Sequence, residues 1–214
     1  MDVQAIRSLI KETKKTESLN RHLHWQICDQ MKSLHHTIEL PEENACDTVI
    51  TFVVDYIDHV PDFIDALYQS SNEAGVQNFI VPFLNIIEEN FLSLITQREP
   101  LTGLDVLLDK AYFAYRLIEE VNDQYFLKTG TVLIPIDITW SNLIIHSILG
   151  EPFANDLNQI IEKTVKHMMS SRYIHNKKLF ETFTNRQNTE KWIEFWTHWD
   201  GLSPKKDIEL RFIS

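Results

Sequence analysis

The sequence contains little glycine and proline, with 5 Gly and 7 Pro among 214 residues. An all-β fold needs a turn about every ten residues, and its turns draw mainly on these two residue types. Their shortage disfavours a β fold and favours helices. Hydrophobic residues make up 43% of the chain and charged residues 24%, a balance that is ordinary for folded proteins and argues against disorder.

Long apolar runs, basic residues and cysteine are also scarce. No apolar run approaches the length of a membrane span, and the N-terminus lacks the apolar core of a signal peptide, so we expect no membrane segment. Acidic residues outnumber basic ones by 31 to 20, and the net charge of −11 disfavours nucleic acid as a partner. Cys28 and Cys46 lack CxxC spacing and are predicted to be reduced, packed thiols in a cytoplasmic protein.

Apolar residues recur at helical spacing along most of the chain. The predicted helices cover about 3–38, 46–69, 76–96, 104–127, 140–149, 152–184 and 189–199. Pro61 is expected to kink the second helix. An irregular segment is predicted between residues 128 and 139, where a β-branched run contains Pro135. The tail 207–212 alternates in polarity, as in a short strand or a docked arm.

The predicted fold is therefore all-α, a bundle of six or seven helices in one domain over residues 1–214. It includes a short buried helix near its middle and at most a minor extended segment. Short connections predict that neighbouring helices pack antiparallel. Residues 189–214 are expected to form a C-terminal aromatic helix and arm that docks on the bundle or forms an interface.

Polar residues interrupt the inner stripe of the first predicted helix. Glu17, Asn20 and His24 continue the spacing of three and four residues that the apolar positions around them follow. If the helix is unbroken, a carboxylate and an imidazole point into the core, where an unpaired polar group is strongly destabilising. A metal ion, a ligand or hydrogen-bond partners from another helix would then be needed to compensate.

Residues that could complete such a site lie on two other predicted helices. Asn142 and His146 are four residues apart on one face of the short apolar helix, and Glu88 flanks the inner face of the third helix. Together with Glu17, Asn20 and His24, these residues predict a pocket for a small ligand. A metal site is the other form of the hypothesis, with His24, His146 and Glu88 binding Fe, Mn or Zn.

A structural interpretation of the same residues stays open. The polar run over residues 11–18 can end the first helix, which would leave Glu17 and Asn20 in water. His146 can equally be a neutral core histidine that is hydrogen-bonded to a carbonyl group.

Two groups of carboxylates are predicted to be solvated helix faces and not cation sites. The first lies opposite the apolar face of the second predicted helix, and the second lies on the polar side of the fourth. Their members are Asp55, Asp58, Asp62 and Asp65, and Glu119, Glu120 and Asp123.

The last predicted helix carries an aromatic stripe at positions i, i+3, i+4 and i+7. Its members are Trp192, Phe195, Trp196 and Trp199. Docking on the parent bundle is the expected arrangement because apolar patches of this size are seldom exposed, and the edge of the stripe is predicted to contribute to a homodimer contact. The alternative function is therefore a noncatalytic interaction or self-associating protein.

The sequence leaves open whether the protein is an enzyme. It has no GxSxG, P-loop, GxGxxG or HExxH motif. Catalytic groups can nevertheless converge from scattered positions, so this absence decides nothing about catalysis.

Overall fold

The computed structural model describes residues 1–34, 38–41, 43–73, 75–96, 103–130, 132–175, 196–197 and 208–210. The helices are α1 (Val3–Asn20), α2 (His22–Leu34), α3 (Ala45–Asp58), α4 (Val60–Glu73), α5 (Gln77–Thr96), α6 (Gly103–Thr129), α7 (Thr139–Leu149) and α8 (Phe153–His175). Strands β1 (Ile38–Glu39) and β2 (Glu209–Leu210) form an antiparallel pair. The predicted all-α bundle with a minor extended segment is confirmed.

Helix α6 lies at the centre of the bundle. It packs against α1, α2, α3, α4, α5, α7 and α8, and its 27 residues span about 40 Å. Its buried side chains occur on several sides of the helix, not along one stripe. They include Leu107, Leu108, Ala111, Tyr112, Ala114, Tyr115, Leu117, Ile118 and Val121. A helix that is buried on several sides is typical of the middle of a helical domain.

The first predicted helix is divided in two at Arg21. This residue has a left-handed backbone with φ of 52°, and its N–H donates to the carbonyl oxygen of Glu17 at 2.7 Å. The side chain of Asn20 accepts from the backbone N–H of His22 at 3.2 Å, so it helps α2 to begin. The expectation of one unbroken helix over residues 3–38 was wrong, because local capping overrides the apolar periodicity here.

The second predicted helix is also divided, between Asp58 and Val60. Pro61 was expected to kink a continuous helix, but it is the second residue of α4. Proline is well tolerated in the first turn of a helix, where its missing N–H would have no intrahelical partner. A new helix start therefore replaces the predicted kink.

The predicted irregular segment is confirmed between α6 and α7. Asn122 of α6 holds this segment in place with its side-chain amide. Its Oδ1 accepts from the backbone N–H groups of Leu133 and Ile134 at 2.7 and 3.0 Å, and its Nδ2 donates to the carbonyl oxygen of Ile134 at 3.2 Å. One side chain thereby satisfies three backbone groups that have no helical partner.

Helix α7 is the predicted short buried helix. Ser141, Asn142, Ile144, Ile145 and Ile148 are buried in it, whereas Leu143 is exposed. The next predicted helix is confirmed as α8 up to His175, and its predicted continuation to residue 184 lies outside the described residues. The predicted C-terminal strand is confirmed at Glu209–Leu210, where β2 pairs with β1.

Of the aromatic stripe, only Trp196 lies within the described residues. It is 2% exposed, and its ring centroid is 6.4 Å from that of Phe63 on α4. The Trp196 side chain therefore packs in the core, beside α4. Trp192, Phe195 and Trp199 lie outside the part of the chain that the structure describes. Their part in a homodimer contact stays a prediction.

Replacement of Trp196 tests this internal docking. We expect Trp196→Ala to lower the free energy of unfolding by about 3–5 kcal/mol, because a large side chain is removed from a packed site. The loss should be independent of protein concentration, and the molecular mass should not change. Urea unfolding and sedimentation equilibrium measure the two quantities. Trp25→Ala is the matched control, since Trp25 is 65% exposed. A variant that dissociates a dimer and leaves a stable monomer would contradict internal docking.

Candidate functional site

Three side chains that can bind a metal ion meet where α2 packs against the start of α3. They are His24, Cys28 and Cys46, and one ligand atom from each lies within 4.8 Å of the other two. His24 and Cys28 are four residues apart on α2, which places them one turn apart on the same face. Cys46 is the second residue of α3. All three residues are half-buried, so the cluster remains accessible from solvent.

Cys28 and Cys46 form a disulfide, with their Cα atoms 5.5 Å apart. The prediction of two reduced, separately packed thiols was therefore wrong. The cysteines are 18 residues apart, and the packing of α2 against α3 brings them together. A CxxC search cannot detect a pair that tertiary packing creates. The four-residue spacing of His24 and Cys28 was the one local signal in the sequence.

The cytoplasmic location was expected in part because both cysteines were predicted to be reduced, and the disulfide removes that reason. Disulfides persist in oxidising compartments, and those of cytosolic proteins belong mainly to catalytic or redox-sensing pairs. Among the described residues, no helix is both long and apolar enough to cross a membrane. The cytoplasmic location stays a prediction.

The His24 ring has a defined hydrogen-bond partner. Its Nε2 lies 2.8 Å from Nη2 of Arg21, and because a guanidinium group only donates, Nε2 accepts this bond. The hydrogen of the neutral ring is then carried by Nδ1. His24 was expected to be mostly buried, but it is half-buried, because the break at Arg21 places it at the edge of the bundle.

Glu17 joins this corner from the last turn of α1. Its Oε1 accepts from the backbone N–H of His24 at 3.2 Å. Its Oε2 lies 3.1 Å from the position that a Cβ atom would take at Gly103, and Asp105 Oδ1 lies 2.6 Å from the same point. His22 Nδ1 is 3.5 Å from Asp105 Oδ1. Two carboxylates therefore gather at the N-terminus of α6, where the helix dipole favours negative charge.

The structure does not bring the other predicted site residues to His24. Asn20 is exposed and contributes the cap of α2. Glu88 accepts from the backbone N–H of Asp2, at the opposite end of α1. The 15 residues from Asp2 to Glu17 correspond to about 22 Å of helix. Among the described residues, no hydrogen bond joins His24 to Glu88, Asn142 or His146.

Asn142 lies instead in a buried polar network between α3, α6 and α7. Its Oδ1 accepts from the Tyr56 hydroxyl at 2.6 Å, and its Nδ2 donates to Glu119 Oε2 at 2.5 Å. Glu119 Oε2 also accepts from Arg116 Nη1 at 2.5 Å. Burial raises the pKa of Tyr56 well above its ordinary value, so the hydroxyl stays protonated and donates.

The network continues to α8 through asparagine side chains. Asn158 Oδ1 accepts from the Tyr112 hydroxyl at 2.9 Å and from Arg116 Nε at 3.3 Å. His146 Nε2 lies 3.1 Å from Asn155 Oδ1, so this predicted site residue links α7 to α8. Burial lowers the pKa of the Arg116 guanidinium, but the nearby Glu119, together with weaker electrostatic interactions, raises it by more, so the net pKa is raised and the group stays charged.

The interpretation of Glu119 and Glu120 as a solvated face was wrong. Their side chains are 12% and 11% exposed, because α7 and α8 cover this side of α6. Asp123, one turn further along, is exposed as expected. The hydrogen bonds of this network join side chains of α3, α6, α7 and α8 to one another. Its role is to fasten α7 and α8 to α6.

The aspartates of the second predicted helix are not simply solvated either. Lys14 of α1 pairs with Asp58, and Arg7 pairs with Asp62 and Asp65 at 2.7 and 3.1 Å. Arg7, Lys14 and Asp58 line part of a groove of about 450 Å³ between α1 and the α3–α4 corner. Three of the four cations that line this groove, Arg7, Lys14 and Lys15, pair with carboxylates.

Comparison with known proteins finds no matching family model, no matching curated protein and no matching solved structure. The function therefore has to be argued from the side chains of this chain alone.

Loss of Asn142 tests the structural role of the buried network. We expect Asn142→Ala to lower the free energy of unfolding by about 2–4 kcal/mol, because a buried hydroxyl and a buried carboxylate each lose a partner. Urea unfolding measures the change. Leu143→Ala, at the exposed neighbouring position, is the control and should be close to neutral. Equal stability of Asn142→Ala and wild type would show that the network is not needed for the fold.

Asp109 on α6 gives a prediction of pH dependence. Burial, followed by the nearby Asp105, raises the pKa of Asp109 from 3.8 to about 6. The folded protein therefore binds a proton more tightly than the unfolded chain does, and the free energy of unfolding falls as pH rises from about 4 to about 6.

We expect Asp109→Asn to raise the free energy of unfolding by about 1–2 kcal/mol near pH 7, after allowance for solvent screening, with little change near pH 4. Urea unfolding at several pH values measures this difference. Asp29→Asn, on an exposed site, should have no effect at either pH. A gain of the same size at both pH values would rule out ionisation of Asp109 as its cause.

Proposed function

We propose that the protein is a metal-binding helical bundle, and that His24, Cys28 and Cys46 hold the metal ion when both cysteines are thiols. The observation that carries the proposal is the convergence of one imidazole nitrogen and two sulfurs within 4.8 Å. In a tetrahedral zinc site with Zn–S bonds of about 2.3 Å, neighbouring sulfurs lie roughly 3.8 Å apart. The two sulfurs of this cluster are joined as a disulfide, so they would have to separate to this distance after reduction.

The donor set favours zinc among the metals that the sequence suggested. Two thiolates and one imidazole are soft and borderline ligands, which suit Zn²⁺ and disfavour Mn²⁺. Three protein ligands leave one of four positions to water or to a small ligand. A small ligand, as predicted from the sequence, would then bind the metal ion at this fourth position.

The surroundings of the cluster support binding of a cation. Cys46 lies in the first turn of α3, where the helix dipole favours a negatively charged thiolate. Glu17 accepts from the backbone of His24 and so fixes the start of α2 beside the cluster. Arg21 is exposed, so its guanidinium can turn into solvent and leave Nε2 of His24 open.

This proposal keeps His24 from the sequence-based metal hypothesis and replaces His146 and Glu88 with Cys28 and Cys46. His146 bonds to Asn155 on α8, and Glu88 bonds to the backbone at the start of α1. The alternative function, a noncatalytic interaction or self-associating protein, stays a prediction. Trp196, the described member of its proposed interface, faces the core.

Metal titration of the reduced protein tests the proposal. We expect one Zn²⁺ per chain, measured by competition with a chromophoric chelator. Co²⁺ in place of Zn²⁺ should give the intense visible bands of a tetrahedral site and a thiolate-to-metal absorption in the near ultraviolet. Loss of one ligand should weaken binding strongly, so Cys28→Ser and Cys46→Ser should abolish stoichiometric Zn²⁺. His24→Ala should lower the affinity at least tenfold.

The controls separate this site from its alternatives. His22→Ala removes a histidine only two residues from His24, and His146→Ala removes one from the buried network. Both should bind Zn²⁺ like the wild type, and circular dichroism should confirm that every variant remains helical. A reduced wild type without stoichiometric Zn²⁺, or an equal loss in His22→Ala and His24→Ala, would refute the proposed site.

A further inference from the structure

We infer that the Cys28–Cys46 pair is a thiol-redox switch that decides whether the metal site exists, an inference that rests on the proposed function. The structure shows these two sulfurs joined to each other, with the third donor, His24, beside them. The same two atoms serve both arrangements. Disulfide formation and metal binding therefore exclude one another.

Oxidation removes most of the donor set at once. A metal-binding cysteine acts as a thiolate, and the sulfurs of a disulfide carry no such charge. Only the single imidazole of His24 would remain, and one neutral nitrogen does not hold Zn²⁺ in a structural site. The oxidised protein should therefore be nearly free of metal at this position.

Conversion between the two states needs a thiol as reductant and a disulfide as oxidant. In the reduction, a dithiol R(SH)2 gives two electrons and two protons to the Cys28–Cys46 bond, which yields two cysteine thiols and the cyclic disulfide RS2. Zn²⁺ then binds both sulfurs as thiolates and releases two protons. In the reverse direction, RS2 and two protons convert the metal-bound thiolates to the disulfide, and R(SH)2 and Zn²⁺ are set free.

The backbone geometry suits both states without movement of the helices. A Cα separation of 5.5 Å lies in the middle of the range for disulfides. Rotation about the Cα–Cβ bonds is sufficient to separate the sulfurs from a covalent bond to the roughly 3.8 Å of a tetrahedral site. Both cysteines are half-buried, so a small thiol can reach them.

The switch also controls the connection between α2 and α3. The disulfide links the two helices in the oxidised state, and the metal ion links them in the reduced, loaded state. The reduced, metal-free protein has neither link and should be the least stable of the three forms. Thermal unfolding therefore gives a measurement of the switch that is independent of any catalytic activity.

The experiment follows metal and thiols together in the 214-residue chain. The protein is reduced with dithiothreitol, desalted without oxygen and loaded with Zn²⁺, and a second sample is kept oxidised. Oxidised glutathione is then added to the loaded sample. A chromophoric chelator that is present in the solution reports released Zn²⁺, and thiol alkylation with mass spectrometry reports the disulfide.

We expect about one Zn²⁺ per reduced chain and less than a tenth of that in the oxidised chain. After oxidised glutathione is added, Zn²⁺ release should follow the loss of thiols at the same rate. The midpoint of thermal unfolding should be lowest for the reduced, metal-free form. His24→Ala should still form the disulfide but should gain less thermal stability from Zn²⁺ than the wild type does, whereas His22→Ala should behave like the wild type in both measurements.

The outcomes separate the switch from the proposed function. If the reduced wild type binds no Zn²⁺, both the metal site and the switch are refuted. If the oxidised protein binds Zn²⁺ as well as the reduced protein does, the two sulfurs are not ligands, and both the proposed site and the switch are refuted. The switch also fails if bound Zn²⁺ blocks oxidation completely, because the thiols would then never exchange metal for a disulfide.

Discussion

The burial of α6 by its neighbours is the constraint on which the rest of the structure depends. On the side of α6 that α7 and α8 cover, charged side chains have little contact with water. Arg116 and Glu119 must therefore find partners inside the protein, because an unpaired buried charge is strongly destabilising. Asn142 bonds to Glu119 and Asn158 bonds to Arg116, and each asparagine also accepts from a buried tyrosine, so these contacts fix where α7 and α8 pack.

The fold class followed from the sequence because periodicity and the shortage of glycine and proline report on many residues at once. The divisions at Arg21 and between Asp58 and Val60 did not follow, since each depends on one or two residues. Asn20 and Pro61 carried the local signals for these helix starts, but both are also compatible with continuous or kinked helices. Local capping decided between arrangements that periodicity could not distinguish.

The candidate site shows a different limit. His24 was selected because it interrupts an apolar stripe on a helix assumed to be continuous, and that helix is broken three residues before it. Its neighbours in the cluster come from the packing of α2 against α3, which is a property of the tertiary fold. Glu119 was assigned to water for the same reason, because a sequence pattern does not show which polar face a neighbouring helix will cover.

The two polar clusters around Asn142 and His24 differ in the kind of bond that holds their side chains together. In the network around Asn142, side chains of α3, α6, α7 and α8 hydrogen-bond to one another and so hold these helices together. The cluster around His24 is half-buried, and its sulfurs are held together by a bond that a thiol can open. The hydrogen-bond network stabilises a single arrangement of its helices. The disulfide between two potential ligand atoms can open, so Cys28 and Cys46 have two states, a disulfide and a pair of thiols. For this reason the corner of α2 and α3, and not the polar core, is the place where this bundle can respond to its surroundings.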